Sequence, residues 1–543
     1  MAGFRGVGAP TGATAKRSRR STLLPVLVAS LLAAAHVDGA PPLRRGTSAD
    51  APTLDPVIAA GTLSAPIIND LFEGLLGKDA ALKLIPGSAE TWTVSPDGRT
   101  YTFRLRPKLQ WSDGTPLTAA DFVYGYQRLV TPAVASPIAG QFFLVENARD
   151  IVAGKLPPEK LGVTAPDPRT VVIRLSSPAP YFLDLVGNLN AVPSPRHVIE
   201  KYGKDWTRPE HMVTNGAYTL AERIPQTLTR LRRNPRYHAA ATVLTEDVEW
   251  YPTQDLATSL RRFRAGELDQ ILNFPPDEID RLRKEMPESL KVAPSQGVYF
   301  LVVNLRKPQF ADARVRRALA LAVDRTGLTG KLLRTGVKPT VSLVGPDFSN
   351  YSGIRMPEED RTMAQRQAEA RRLLAAAGFG PARPLDFEYV YDTNEENRKI
   401  AVALAAMWQA VGVRARPVNV DFGQLNRQIR TASFDVARWS YFASFDDPIA
   451  LLQLYASDNT NNYAGYRNPE YDRLLLESNV TVDPAARRKL LEQAETIMIR
   501  DAPIIPIYDY VRRYLVAPTV QGWVTSGRGP TPSRFLSVKP PAP

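Results

Sequence analysis

The chain contains no cysteine. That absence excludes disulfide cross-links, thiolate metal sites, a cysteine nucleophile and a lipid-modified N-terminal cysteine. Histidine is nearly as scarce: the four residues lie at 36, 197, 211 and 238, with no His-x-x-x-His pair from which to build a zinc site. No segment reaches about 18 consecutive apolar residues, so no membrane-spanning helix is expected and the exported chain should be soluble. A G-x-S-x-G nucleophile elbow is missing, and Gly74 to Lys78 and Gly330-Lys331 lack the spacing of a phosphate-binding loop. Ser194 and His197 stand close in sequence, but on a proline-rich stretch with no acid to orient the imidazole. Asp446-Asp447, in an Asp-Asp-Pro context, reads as turn chemistry. No catalytic residue, metal site or cofactor is assigned, and a large chain without a catalytic constellation is expected to hold a molecule and not to transform it.

What is present is a globular composition. Of 543 residues, 44% are apolar and 23% charged, which is more than one ordinary core needs and points to two or three lobes. Residues 1–20 carry Arg5, Lys16, Arg17, Arg19 and Arg20 with no acid, and the apolar stretch Leu23 to Ala35 follows. A basic region, a short apolar region and Ala33-x-Ala35 form the pattern of a secretory signal, with cleavage expected after Ala35 or near Ala40. Ser18-Arg19-Arg20 loosely resembles a twin-arginine signal, but Thr22 stands at its aromatic position, so ordinary secretion is favoured. With no cysteine to lipidate, a free periplasmic protein is expected. The net charge is +13, of which the first 35 residues carry five, leaving +8 on the exported chain. The basic residues form no single stripe interleaved with aromatics, so nucleic acid is not an expected partner.

Hydrophobic patterning predicts the elements. Glu90 to Leu105 alternates as a hairpin around Pro96-Asp97-Gly98, with Tyr101, Phe103 and Leu105 on one face. Thr118 and Asp121 have capping-box spacing at the start of a helix whose face is Phe122, Tyr126 and Leu129. Strands are expected at Thr170 to Leu175, after Asn215-Gly216, at Asp247 to Pro252 and at Val298 to Leu305, the last buried on both faces. Arg261 to Leu272 reads as a helix followed by a strand. Val315, Ala318, Leu319 and Ala322 predict a helix within 312–325, and residues 362–439 alternate helix and strand, which implies a parallel sheet with right-handed crossovers. A helix at Pro484 to Arg500 precedes a short strand, Ile504 to Tyr508.

Several segments together resemble a family. They include Asp70-Leu71-Phe72-Glu73-Gly74-Leu75, Ser95-x-Asp97-Gly98-x-x-Tyr101-x-Phe103 and Trp111-Ser112-Asp113-Gly114-x-Pro116-Leu117-Thr118-Ala119-x-Asp121-Phe122. Asn215-Gly216-x-Tyr218, Asn234-Pro235-x-Tyr237 and Val315-Arg316-x-Ala318 follow in order. The chain resembles the oligopeptide- and dipeptide-binding proteins that serve ATP-driven importers. The resemblance implies an α/β, two-lobed periplasmic-binding-protein fold of the large peptide-binding class, with an extra subdomain in the first lobe. Lobe I would comprise 41–78, 194–301 and 508–543, the extra subdomain 79–193, and lobe II 302–507. The implied partners are an oligopeptide and the membrane permease of an ABC importer, the receptor acting as a monomer. A modified peptide, another small solute or a chaperone role is the alternative.

The resemblance also implies a ligand held by β-strand addition, with its side chains in hydrated pockets. The matching strand positions are Ile67 and Ile68 on one side and Arg438, Ser440 and Phe442 on the other. Tyr124 and Phe422 match pocket-lining positions, and Arg438 is the candidate partner of a ligand carboxylate. Relatives that bind oligopeptides carry an Asp for the ligand's ammonium where this chain has Ser444. A buried ammonium needs a counter-charge, so Asp446 or Asp447 is expected to supply it, or the ligand has no free ammonium there.

Overall fold

The computed structural model describes residues 41–349, 351 and 353–539. The signal segment and both cleavage positions lie outside the described residues. The described residues form one compact unit. Among the described residues, no helix is long and apolar enough to cross a membrane.

Two long antiparallel strands, Leu290–Val303 and Ile504–Val516, form the middle of the main sheet. They pair along most of their length, from Leu290 opposite Leu515 to Val302 opposite Ile504. Their ladder breaks register between Pro294 and Val298, and the neighbours change at that break. After it, Gly297 to Val303 pairs antiparallel with Val436–Phe442. At the other end, Leu515 and Val516 pair with Gln270–Ile271, which leads to Leu43–Thr47, Asp247–Pro252, Leu228–Arg233 and Tyr218–Ile224. One sheet therefore runs through both lobes, and among the described residues only this strand pair carries it across. The predicted buried strand is confirmed: Val298 to Val303 are each at most 1% exposed. The prediction for the last long strand was too short. Its second half, with Tyr510, Arg512 and Arg513, is too polar to read as a core strand but is held by pairing to Leu290 to Pro294.

The expected parallel arrangement is present in the second lobe. Asp386–Asp392 pairs parallel with Arg414–Val420 along its length and with Val436 and Ala437. The crossover helix Glu395–Gln409 has an Asn394 N-cap and buries Ile400, Leu404 and Trp408. Helix Ala313–Leu321 is shorter than predicted, and Leu256–Arg264 starts earlier than predicted because Asp255 caps it, its side chain accepting from Thr258 N.

A separate four-stranded antiparallel sheet contains the predicted hairpin, Ala89–Val94 and Thr100–Leu105, joined by Thr170–Arg174 and Val163–Asp167. The hairpin turn uses Gly98 at φ +67°, a conformation that costs glycine little. The capping box forms as read: Thr118 N donates to Asp121 Oδ2 at 2.8 Å, and Phe122, Tyr126 and Leu129 are buried on helix Ala119–Val130.

A buried charge cluster fastens the C-terminal segment to the first lobe. Glu73 accepts from Tyr237 Oη at 2.5 Å and pairs with His238 Nε2 at 2.6 Å and Arg534 Nη1 at 3.2 Å. Burial alone would raise the Glu73 carboxyl, but His238, Arg534 and Tyr237 hold it below the usual carboxylate range. Removing the acid strands buried donors, so Glu73→Ala should lose about 3–5 kcal/mol in chemical denaturation. With a depressed folded pKa, the Glu73 contribution is present above its unfolded value and is lost as pH falls through the folded one. The penalty of the variant should therefore shrink in acid.

Candidate functional site

A cavity of about 670 Å³ lies between the two halves of the molecule. One wall is built from Gly61, Thr62, Lys78 and Asp184 with the tail segment at Arg528 to Pro532. The facing wall is the loop Ala443 to Pro448 together with Arg487 of helix Pro484–Asp501. Gln296 and Arg512, from the two crossover strands, line it where the lobes join. The walls touch through Tyr181 and Phe445, whose rings stack 5.2 Å apart at 12°.

The sequence-predicted residues Ser444 and Asp446 line this cavity. Both acids of the Asp446-Asp447 pair are, however, already committed. Asp446 pairs with Arg528 at 2.6 Å and accepts from Gln296 Nε2 and Ser349 N and Oγ. Asp447 takes a two-point bond from Arg487, at 2.6 and 2.9 Å, and accepts from Ile449 N. Neither carboxylate is held in reserve for a ligand's ammonium.

Arg438, Ser440 and Phe442 sit on Val436–Phe442, and the hydrogen bonds at its two ends fix which way each residue faces. Asn304 N donates to Asp435 O at 3.0 Å, and Ala443 N donates to Gln296 O at 2.8 Å. Odd-numbered residues therefore bond across to Leu290–Val303, and the even-numbered ones present their main chain to the opposite edge. On that edge the parallel neighbour reaches only as far as Ala437. Ser440 and Phe442 thus lie on an edge with no strand partner among the described residues.

The Arg438 side chain is compensated within the protein. Its guanidinium pairs with Asp392 at 3.1 Å, donates to Tyr510 Oη at 3.2 Å and lies over the Tyr299 ring. Burial opposes its charge, but Tyr510, Tyr299 and Asp392 outweigh that and raise its pKa. The Phe442 ring is half exposed and packs on Tyr510 at 4.9 Å. Phe422, 57% exposed, stacks nearly parallel on Trp439. Tyr124 is half-buried under Arg196 and is not part of the cavity lining.

Ile67 and Ile68 require correction: they lie on helix Ala65–Leu71, not on a strand, and are 2% and 0% exposed. Pro66 sets a helical φ in the first turn. Ile68 N then donates to Ser64 O and Ile68 O accepts from Phe72 N, so the main chain of Ile68 has nothing to offer a ligand strand, and Ile67 is in helical and not extended backbone. Gly61 and Thr62, a few positions upstream, line the cavity instead. The Ser194–His197 pair does not form either: Arg128 bonds the serine hydroxyl, and His197 bonds Asp113 at 2.8 Å.

Sequence reasoning missed Asp184, Lys78, Arg487 and Arg528. The signal for Asp184 was a lone acid inside the apolar run Phe182–Val186. Its carboxyl takes part in no side-chain hydrogen bond or ion pair among the described residues. Burial, then repulsion from Asp446 and Asp447, pushes it up to about 7 against the opposing pull of Arg528 and Lys78. Burial correspondingly lowers the pKa of Lys78.

Two lobes joined by a shared strand pair, with a cleft between them, define a periplasmic-binding-protein fold. The chain belongs to family 5 of the bacterial extracellular solute-binding proteins, whose middle-region model matches residues 83–463. It is 36% identical to the periplasmic oligopeptide-binding protein OppA of Salmonella typhimurium over 499 residues, 91% of each chain. It is also 36% identical over 511 residues to the probable deoxycholate-binding periplasmic protein YgiS of Escherichia coli, covering 92% of this chain and 95% of that one. Among solved structures, the murein tripeptide-binding protein MppA in its unliganded open form superposes with a TM-score of 0.83 at 34% identity, covering 91% and 97%. The family is one of solute-binding proteins and not an enzyme class, and these relatives are periplasmic.

The raised Asp184 carboxyl has a stability consequence in the empty protein. Its neutral form is favoured on folding, so its contribution is present below the unfolded carboxylate pKa and is lost as pH rises towards 7. Asp184→Asn should therefore melt higher than the parent at pH 8 and close to it at pH 4, measured by calorimetry without ligand.

Proposed function

We propose that this chain is a periplasmic receptor that captures oligopeptides between its two lobes and delivers them to the permease of an ABC importer. It works as a monomer, performs no reaction, and reaches the periplasm through its N-terminal signal without lipid attachment. The lobes are those read from the sequence, 41–78 with 194–301 and 508–543 against 302–507, with 79–193 as the extra subdomain. Gly297 to Leu301 already pairs with Val436–Phe442 of 302–507, so the hinge itself falls a few residues before the boundary at 301, at the register break Pro294 to Val298. The carrying observation is the unpartnered main-chain edge at Ser440 and Phe442, on the strand that leads directly into the cavity loop at Ala443. An extended peptide added there gains main-chain hydrogen bonds regardless of its sequence. Closure then follows from the ligand's better fit to the closed state. Arg438 serves as a positioning group whose fork can share a ligand carboxylate with Asp392 in place.

The test is native mass spectrometry of protein purified gently from periplasm. The expected result is a ladder of bound masses that fragment as peptides of a few residues. A single non-peptide mass would overturn this reading. It would favour a second one, a solute such as deoxycholate, which the equal identity to YgiS supports.

The edge itself is testable by Ser440→Pro. Proline removes an N–H that faces away from the Leu290–Val303 ladder, so the sheet should persist. Loss of one main-chain hydrogen bond should weaken peptide binding by about 2- to 12-fold in titration calorimetry, with little change in melting temperature. Unchanged affinity would place the ligand elsewhere.

A further inference from the structure

The charges around the cavity are unevenly satisfied. Asp446 and Asp447 are neutralised by Arg528 and Arg487 respectively, each at 2.6 Å. Asp184 faces the same space from the opposite wall, on a helix that carries no other charge. Lys78 lies within Coulombic range of Asp184, but no ion pair joins them among the described residues. The wall thus offers a partly buried carboxylate with no cation in contact, in a space large enough for a ligand group.

We infer that Asp184 is the residue that holds the cationic amine of the ligand, a specificity role that rests on the peptide reading above. An ammonium placed against it would complete the third acid–base pair of the cavity, beside two the protein closes itself. The environment also sets how such a site behaves with pH. Without a ligand cation, burial and the two facing aspartates favour a protonated Asp184, while Arg528 and Lys78 oppose this. Amine binding must then displace a proton from the carboxyl at mildly acid pH. A ligand with a blocked amine has nothing to offer this group and leaves a desolvated carboxyl behind.

The experiment uses the full exported chain and a lysine-free tetrapeptide library, prepared once with free N-termini and once N-acetylated. Binding is read by native mass spectrometry and titration calorimetry. The parent protein should prefer the free-amine library by at least about tenfold, and Asp184→Asn should remove the preference. Free-amine binding to the parent at pH 6 should release about one proton, detected by repeating the titration in buffers of different ionisation enthalpy. That measurement needs no variant, so it decides the matter even if Asp184→Asn folds poorly. Equal binding of both libraries overturns the inference and leaves the peptide reading standing. A preference that survives in Asp184→Asn, or binding without proton release, also overturns it by placing the amine elsewhere. Binding of neither library removes the peptide reading, and the inference falls with it.

Discussion

The pairing of Leu290–Val303 with Ile504–Val516 is the constraint on which the rest of this molecule depends. Each lobe has its own buried residues, but the main sheet is continuous only because these two strands run through both. A continuous ladder would resist bending. The register break between Pro294 and Val298 interrupts it where the neighbours change, so rotation there strains few hydrogen bonds. Gly297 shows how tight the join is: a Cβ there would stand 2.3 Å from the Phe442 ring. The hinge, the open edge and the cavity loop are therefore built from residues that are neighbours in the sheet.

The cavity follows from this join. Gln296, inside the break, donates to Asp446, and Arg512, opposite Ala293 on the partner strand, bonds Gly527 O in the tail. Arg528 then reaches from that tail to Asp446 across the cleft. The protein spends its arginines holding its own aspartates, which fixes the walls and leaves a small number of groups free for a ligand. Main-chain edge and free carboxyl have different uses: the first is indifferent to side chains, and the second selects charge.

Much of the scaffold was legible because it obeys local rules. The Pro96-Asp97-Gly98 turn, the Thr118–Asp121 box and the apolar run Val298 to Val303 each state their own structure. Family resemblance singled out Arg438, Ser440 and Phe442, and the parity of the ladder turns the main chain of all three to the same side of the strand, which accounts for the spacing of two. Ile67 and Ile68 failed because resemblance gives an approximate alignment, whereas Pro66 decides locally for a helix. The charge network was not legible at all. Nothing in the sequence says that Arg487 reaches Asp447 or that Arg528 reaches Asp446: the first pair is made by packing within one wall, between residues 40 positions apart, and the second only across the cleft. Asp184 left a trace as an acid in an apolar run, but its meaning required knowing which other acids were already paired.

An edge made of N–H and C=O groups does not distinguish one extended chain from another. If occupancy is set mainly by the main chain at Ser440 and Phe442, then peptides of different composition compete for one seat on nearly equal terms. The fraction of receptor in the closed state would then follow the summed concentration of short chains outside the membrane, and no single sequence would dominate the count.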